Sequence, residues 1–181
     1  MPGHSLHTER VGRFDPHAHA GAELELALPS QWAGWESASR VALFVDGWLK
    51  SSLQCRDLAL ADLSYAVNEL MENAVKYCAG GGIELSATFT DTSLILTLRH
   101  AATPAHAARY LAHAHELIKR DPFELLAESV ERNALNPEHG SGLGLLSLLN
   151  DYGASLGFEF VDHEDQQPVA ITTQAHLPWL H

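Results

Sequence analysis

Two short stretches of this chain carry residue types that could handle phosphate. The first runs Asn68-Glu69-Leu70-Met71-Glu72-Asn73-Ala74-Val75-Lys76-Tyr77. On a helix turning about 100° per residue, Glu69, Asn73 and Lys76 fall within about 60° of arc, while Leu63, Val67, Leu70, Met71 and Ala74 lie opposite. Such a helix buries an apolar stripe and aims a carboxylate, an amide and an ammonium group at one ligand. A carboxylate can orient or deprotonate an attacking hydroxyl, an Asn oxygen can ligate Mg²⁺, and a Lys can neutralise phosphate charge. The competing reading is a solvated polar face with no ligand. The second stretch is His139-Gly140-Ser141-Gly142-Leu143-Gly144-Leu145-Leu146, where small residues run directly into an apolar helix. Free N–H groups at a helix start attract anions, and glycines let a phosphate approach the backbone. A plain turn and cap would look the same.

The elements that must position these residues follow from periodicity. Leu58 to Cys78 is the cleanest helix, and Ala79-Gly80-Gly81-Gly82 ends it. Ahead of it, alternation over Glu23 to Leu28 predicts a half-buried strand closed by Pro29-Ser30. Trp32, Trp35, Val41, Phe44, Val45 and Trp48 then recur at helical spacing within Gln31 to Leu53. After the central helix, Ile83 to Thr90 and Ser93 to His100 read as a hairpin turning at Asp91-Thr92. Pro104 to Arg120 and Pro122 to Asn133 read as two helices broken at Asp121-Pro122. Leu143 to Tyr152 is helical, and Ser155 to Asp162 with Val169 to Leu177 form a last strand pair. Met1 to Gly21 shows no apolar period and is expected to be a flexible arm outside the fold. Residues 22–181 are then one domain, with a lid-like helical insert over 104–139. The expected class is α/β, an α+β sandwich with a mixed, mostly antiparallel sheet of about five strands and helices on one face.

Composition narrows the classes further. With 181 residues and 46% hydrophobic content, one core is expected. A formal charge of -12 disfavours nucleic acid and anionic lipid as partners. The first residues lack the basic start and apolar run of a secretory signal, and Val41 to Trp48 is too short to span a membrane. Cys55 and Cys78 are too few for a disulfide framework, so both are expected as packed thiols in the cytoplasm. The pairs His17/His19 and His113/His115 share no helix face and complete no four-ligand set, and are read as solvated histidines rather than a metal site. Trp32, Trp35 and Trp48 belong either to the core or to a homodimer surface.

An Asn-bearing helix followed about seventy residues later by G-x-G-L-G-L resembles the asparagine and glycine boxes of the histidine-kinase-like ATPase superfamily, whose ATP-binding domain has the Bergerat-type fold. The resemblance covers roughly Glu23 to Leu177, and the order of elements looks most like the small anti-sigma-factor serine kinases. It implies ATP and Mg²⁺ as cofactors, Glu69 as catalytic carboxylate, Asn73 as Mg²⁺ ligand, and Lys76 and Tyr77 as nucleotide contacts. Gly140, Ser141, Gly142, Leu143 and Gly144 would cover the phosphates, with the helices after Pro104 as ATP lid and Glu131, Arg132 and Asn133 near its end. The implied protein is an ATP-binding regulator, a Ser/Thr protein kinase or partner-switching protein acting on a separate protein of the sigma/anti-sigma type. The sequence departs from the family at one place. Where the family has D-x-G-x-G after the second hairpin strand, with an Asp that receives the adenine amino group, this chain reads Arg99-His100-Ala101-Ala102-Thr103-Pro104. Thr103 or a backbone carbonyl would have to substitute. The alternative is a degenerate ATPase-fold adaptor that holds a protein without turning over ATP.

Overall fold

Alternating apolar residues pair off into an antiparallel sheet. A computed structural model of the protein describes residues 6–32, 34–52, 63–135, 143–163 and 168–179. Among these, the strands are β1 (Leu6–Gly12), β2 (Leu24–Leu28), β3 (Ile83–Phe89), β4 (Ser93–Ala102), β5 (Ser155–His163) and β6 (Val169–Pro178), in the sheet order β1-β5-β6-β4-β3-β2. The helices are α1 (Trp35–Ser52), α2 (Leu63–Tyr77), α3 (Pro104–Lys119), α4 (Pro122–Leu135) and α5 (Gly144–Asp151), and the α+β sandwich is as expected. Every neighbouring pair is antiparallel, so the sheet is not mixed. β4 and β5 do run the same way, but β6 lies between them and pairs with both.

The two sheet faces differ because strand side chains alternate. Leu94, Leu96 and Leu98 of β4 and Leu156 and Phe158 of β5 are buried together with the apolar faces of α2 and α3. Thr103 starts α3 by accepting a hydrogen bond from the His106 N–H, and Pro104 occupies its first turn. Asp121 caps α4 through the N–H groups of Phe123 and Glu124, which is why the helices break where Asp121-Pro122 suggested. Ala107, Tyr110, Ala114 and Leu117 recur at helical spacing and are all buried. α3 is therefore part of the core rather than an insert laid over it. In α1, Trp48 stacks on Phe89 with ring centroids 6.4 Å apart, whereas Trp35 is 57% exposed. Cys78 is a free, half-buried thiol, and Cys55 lies outside the described residues.

The arm expected over Met1 to Gly21 is instead structured from Leu6 onward. β1 pairs along its whole length with β5, from Leu6 opposite His163 to Gly12 opposite Gly157, and raises the strand count from five to six. Arg10 binds Glu159 at 2.7 Å, and Glu9 meets His115 Nε2 at 2.9 Å. The chain then crosses the far face of the sheet. There Gln174 accepts from the Asp15 N–H and donates to its carbonyl, both at 2.8 Å, and Thr88 donates to the Ala18 carbonyl. Beneath the strap lie buried Thr97, Gln174 and His176, so its polar residues match a polar face. A strand held by backbone pairing and polar contacts leaves no apolar period in the sequence.

The strap passes so close that Gly157 has no room for a side chain, since a Cβ there would lie 2.0 Å from the Arg13 carbonyl oxygen. Gly157→Ala is expected to destabilise the protein by about 1–3 kcal/mol in urea unfolding. Gly47→Ala, in the middle of α1 with nothing within 4 Å of an added Cβ, is expected to stabilise it by about 0.5–1 kcal/mol. Equal effects at the two sites would mean that the strap does not hold Gly157.

Candidate functional site

α2 turns its polar face away from the sheet and toward a cleft of about 460 Å³ walled by α3 and α4. Asn73, Lys76 and Tyr77 line the α2 wall. Arg109, His113 and Glu116 line the α3 wall and at 100° per residue share about 60° of arc, beside the buried Tyr110 stripe, and Arg120, the extended residue that closes α3, lines the cleft as well. Ser129, Arg132 and Asn133 come from α4, with Leu117, Leu125 and Leu146 as apolar floor. Asn73 donates its amide N–H to the Glu69 carbonyl at 2.7 Å, one turn back, which leaves its side-chain oxygen without a described partner.

The cleft is a positive region on an acidic molecule. Lys76, Arg109, Arg120 and Arg132 face one carboxylate, Glu116, in a chain of formal charge -12. Arg120 is held by both carboxylate oxygens of Glu128, at 2.5 and 3.0 Å. Lys76, Arg109 and Arg132 make no ion pair with a described residue. Three cations without ion pairs to described residues, on the same cleft as the Asn73 oxygen, suit an anion that brings several negative oxygens, with or without Mg²⁺. Burial lowers the pKa of His113, opposed in part by Glu116 and aided by a smaller effect of Lys76. His113 and His115 are half-buried rather than solvated: one lines the cleft and the other bonds Glu9.

Glu69 sits at the junction of α2 and α5 and does not line the cleft. The start of α5 presses on it, so that a Cβ at Gly144 would lie 1.5 Å from the Glu69 Oε2. Burial raises the pKa of this carboxyl, Glu72 raises it further, and a hydrogen bond from the Tyr65 hydroxyl pulls it partly back. Tyr65 also bonds Ser147 and packs on Tyr152, at 5.8 Å between ring centroids, which fixes α5 to α2. Asn150 ties α5 to the start of α4 by donating to the Pro122 carbonyl at 2.9 Å.

The residues singled out from the sequence thus divide. Asn73, Lys76 and Tyr77 meet in the cleft, where Arg132 and Asn133 also lie but Glu131 does not. Glu69 and Gly144 meet each other one turn away, and Leu143 leads into α5 with helical backbone. Gly140, Ser141 and Gly142 lie outside the described residues. No protein-family model matches this chain, and no curated protein matches it. The likeness to histidine-kinase-like ATPases is carried by the two motifs and the order of elements. Arg109, His113 and Arg120 were not anticipated, although the spacing of Arg109, His113 and Glu116 marks one helix face, because α3 shows a mixed order of Ala, Leu and His with no obvious polar side.

At the end of β4 the described polar side chains beyond Arg99 are His100 and Thr103. The Thr103 hydroxyl accepts the α3 cap bond from the His106 N–H. His100 is buried, and neither of its ring nitrogens has a partner among the described residues. Burial drives its pKa from 6.5 to about 4. Between these values the unfolded chain binds a proton that the folded protein does not, so stability falls as pH drops from 6.5 towards 4, by up to about 3 kcal/mol from this group. His100→Leu is expected to flatten that part of the profile in urea unfolding at about pH 4.5 and pH 7.5, and an unchanged slope would remove His100 as its source. At the helix junction, Gly144→Ala is expected to cost about 1–3 kcal/mol, shrinking below about 0.5 kcal/mol when Glu69 is also Ala. A cost independent of Glu69 would show that the contact is not what excludes the methyl group.

Proposed function

We propose that this protein is an ATP-binding regulator of the histidine-kinase-like ATPase type, which transfers a phosphoryl group to a Ser or Thr of a separate protein. The observation that carries this reading is the convergence of Asn73, Lys76, Arg109 and Arg132 on one cleft. Lys76, Arg109 and Arg132 would hold the phosphate oxygens, and Asn73 would supply an oxygen to Mg²⁺. With nucleotide bound, Mg²⁺ would supply charge neutralisation for phosphoryl transfer, Lys76, Arg109 and Arg132 would orient the phosphates, and Glu69 would accept the proton of the attacking hydroxyl. A carboxyl whose pKa is raised by burial is a better base at neutral pH than an exposed one. Glu69 stands one turn from Asn73 and outside the cleft wall, so the acceptor hydroxyl would approach from the α5 side.

The second reading, a non-catalytic adaptor of the same fold, is favoured by a different observation. The sequence lacks the adenine-binding Asp of the family after β4, and Tyr110 occupies the space beside Tyr77.

Titration calorimetry with ATP and Mg²⁺ separates the two. Binding is expected for the native protein, with a loss of at least about tenfold in Asn73→Ala, which is about 1.4 kcal/mol. Glu69→Gln is expected to bind nucleotide within a few fold of native while losing phosphoryl transfer to the partner. No heat at millimolar ATP would favour the adaptor, and equal loss of binding and transfer in Glu69→Gln would remove Glu69 as the base.

A further inference from the structure

The geometry points to a docking site for an extended peptide of a partner protein, which adds to the sheet as a further strand beside β2. β2 is the last strand of the sheet, paired with β3 on one side, and no described strand lies on its other side. A groove of about 490 Å³ runs along that outer edge. It is lined by Leu26, Ala27 and Leu28, three residues in succession. Successive side chains of a strand point to opposite faces, so a space that meets three in a row meets the edge of the backbone. There the N–H and C=O groups of an edge strand form a template for another strand. The facing wall belongs to α1, whose Arg40, Val41 and Phe44 lie on one side of the helix, three and four residues apart. The helix layer therefore already stands over the place that a seventh strand would take. Phe44 is 55% exposed in it, a large ring with no place in the core.

This juxtaposition also sets the chemistry of the occupant. An edge strand beside a groove binds an extended chain by main-chain hydrogen bonds and selects it by every second side chain. Side chains of the added strand that turn toward α1 meet Val41 and Phe44, which favours apolar residues at alternate positions. Arg40, one turn from Phe44, makes no ion pair with a described residue and is a cation on an acidic chain, so it favours a carboxylate among them. The occupant is thus an extended segment of a separate protein that alternates apolar and polar residues and carries an Asp or Glu. None of the residues named here lines the cleft between α2, α3 and α4.

Selection of phage-displayed random heptapeptides on the full chain tests this. Enriched sequences are expected to alternate apolar and polar residues, to carry Asp or Glu, and to lack Pro, which cannot donate to a strand ladder. A synthetic copy of the strongest is expected to lose at least about tenfold in affinity with Phe44→Asp, and as much when one alternate set of its backbone N–H groups is methylated but not the other. Arg40→Glu is expected to weaken it about tenfold and to prefer the same peptide with Lys in place of the acidic residue. No enrichment, enrichment of sequences with helical spacing, or equal binding by Phe44→Asp overturns the inference. A native chain that sediments as a dimer and becomes a monomer with Phe44→Asp shows that a second copy takes the edge, which overturns it as well. Both substitutions are at exposed positions, and circular dichroism checks that the variants are folded.

Discussion

The fully buried ring of Tyr110 decides where the walls of the cleft stand. It stacks on Tyr77 of α2, meets Phe158 and Phe160 of β5 edge-on at 5.7 and 6.0 Å, and lies beside His100 of β4. Each aromatic pair contributes about 0.5–1.5 kcal/mol beyond the area it buries. The hydroxyl could not be buried alone, since an unpaired one costs about 1–3 kcal/mol. Thr173 of β6 meets it at 3.0 Å, and burial keeps the phenol neutral by raising its pKa. With Tyr110 pointed at the sheet, the helix geometry leaves Arg109, His113 and Glu116 no choice but the side facing α2 and α4. One apolar anchor thereby sets the direction of a polar face.

α2 carries three contacts at once, and its sequence must satisfy all three. Its buried stripe of Val67, Leu70, Met71 and Ala74 faces the core, Tyr65 and Glu69 face α5, and Asn73 with Lys76 face the cleft. The close approach of Gly144 to Glu69 is what brings α5 near enough for Tyr65 to reach Ser147. A carboxyl trapped there is desolvated, and desolvation raises its pKa. The same packing that fixes the helix also changes the acidity of its glutamate.

The electrostatics of the molecule act on two length scales. The net charge of -12 repels any large anion from most of the surface, while the cations of α2, α3 and α4 attract an anion small enough to meet only the cleft. Screening at physiological salt cuts off exposed charges beyond about 8 Å, so within the cleft the local cations dominate. A short polyphosphate gains from them without meeting the acidic remainder.

What the sequence alone determined was whatever depends on period and local chemistry. The hairpin at Asp91-Thr92, the break at Asp121-Pro122, the helix of Asn73 and the final strand pair all follow from short-range rules of capping, turns and alternation. So does the shared face of Asn73 and Lys76, because it requires only that α2 be a helix. Tertiary structure decided the rest. β1 became a strand through backbone pairing with β5, which a polar sequence such as Leu6 to Gly12 does not advertise. α3, the first helix of the expected lid, became core because Tyr110 found aromatic neighbours from distant strands. Glu69 and Asn73, adjacent on one helical face, were separated by the arrival of α5, and Arg109 was brought opposite Lys76 by the packing of α3. Helical spacing says which residues of one element point the same way, but which element they face depends on contacts between residues far apart in the chain, and those are settled only when the core is packed.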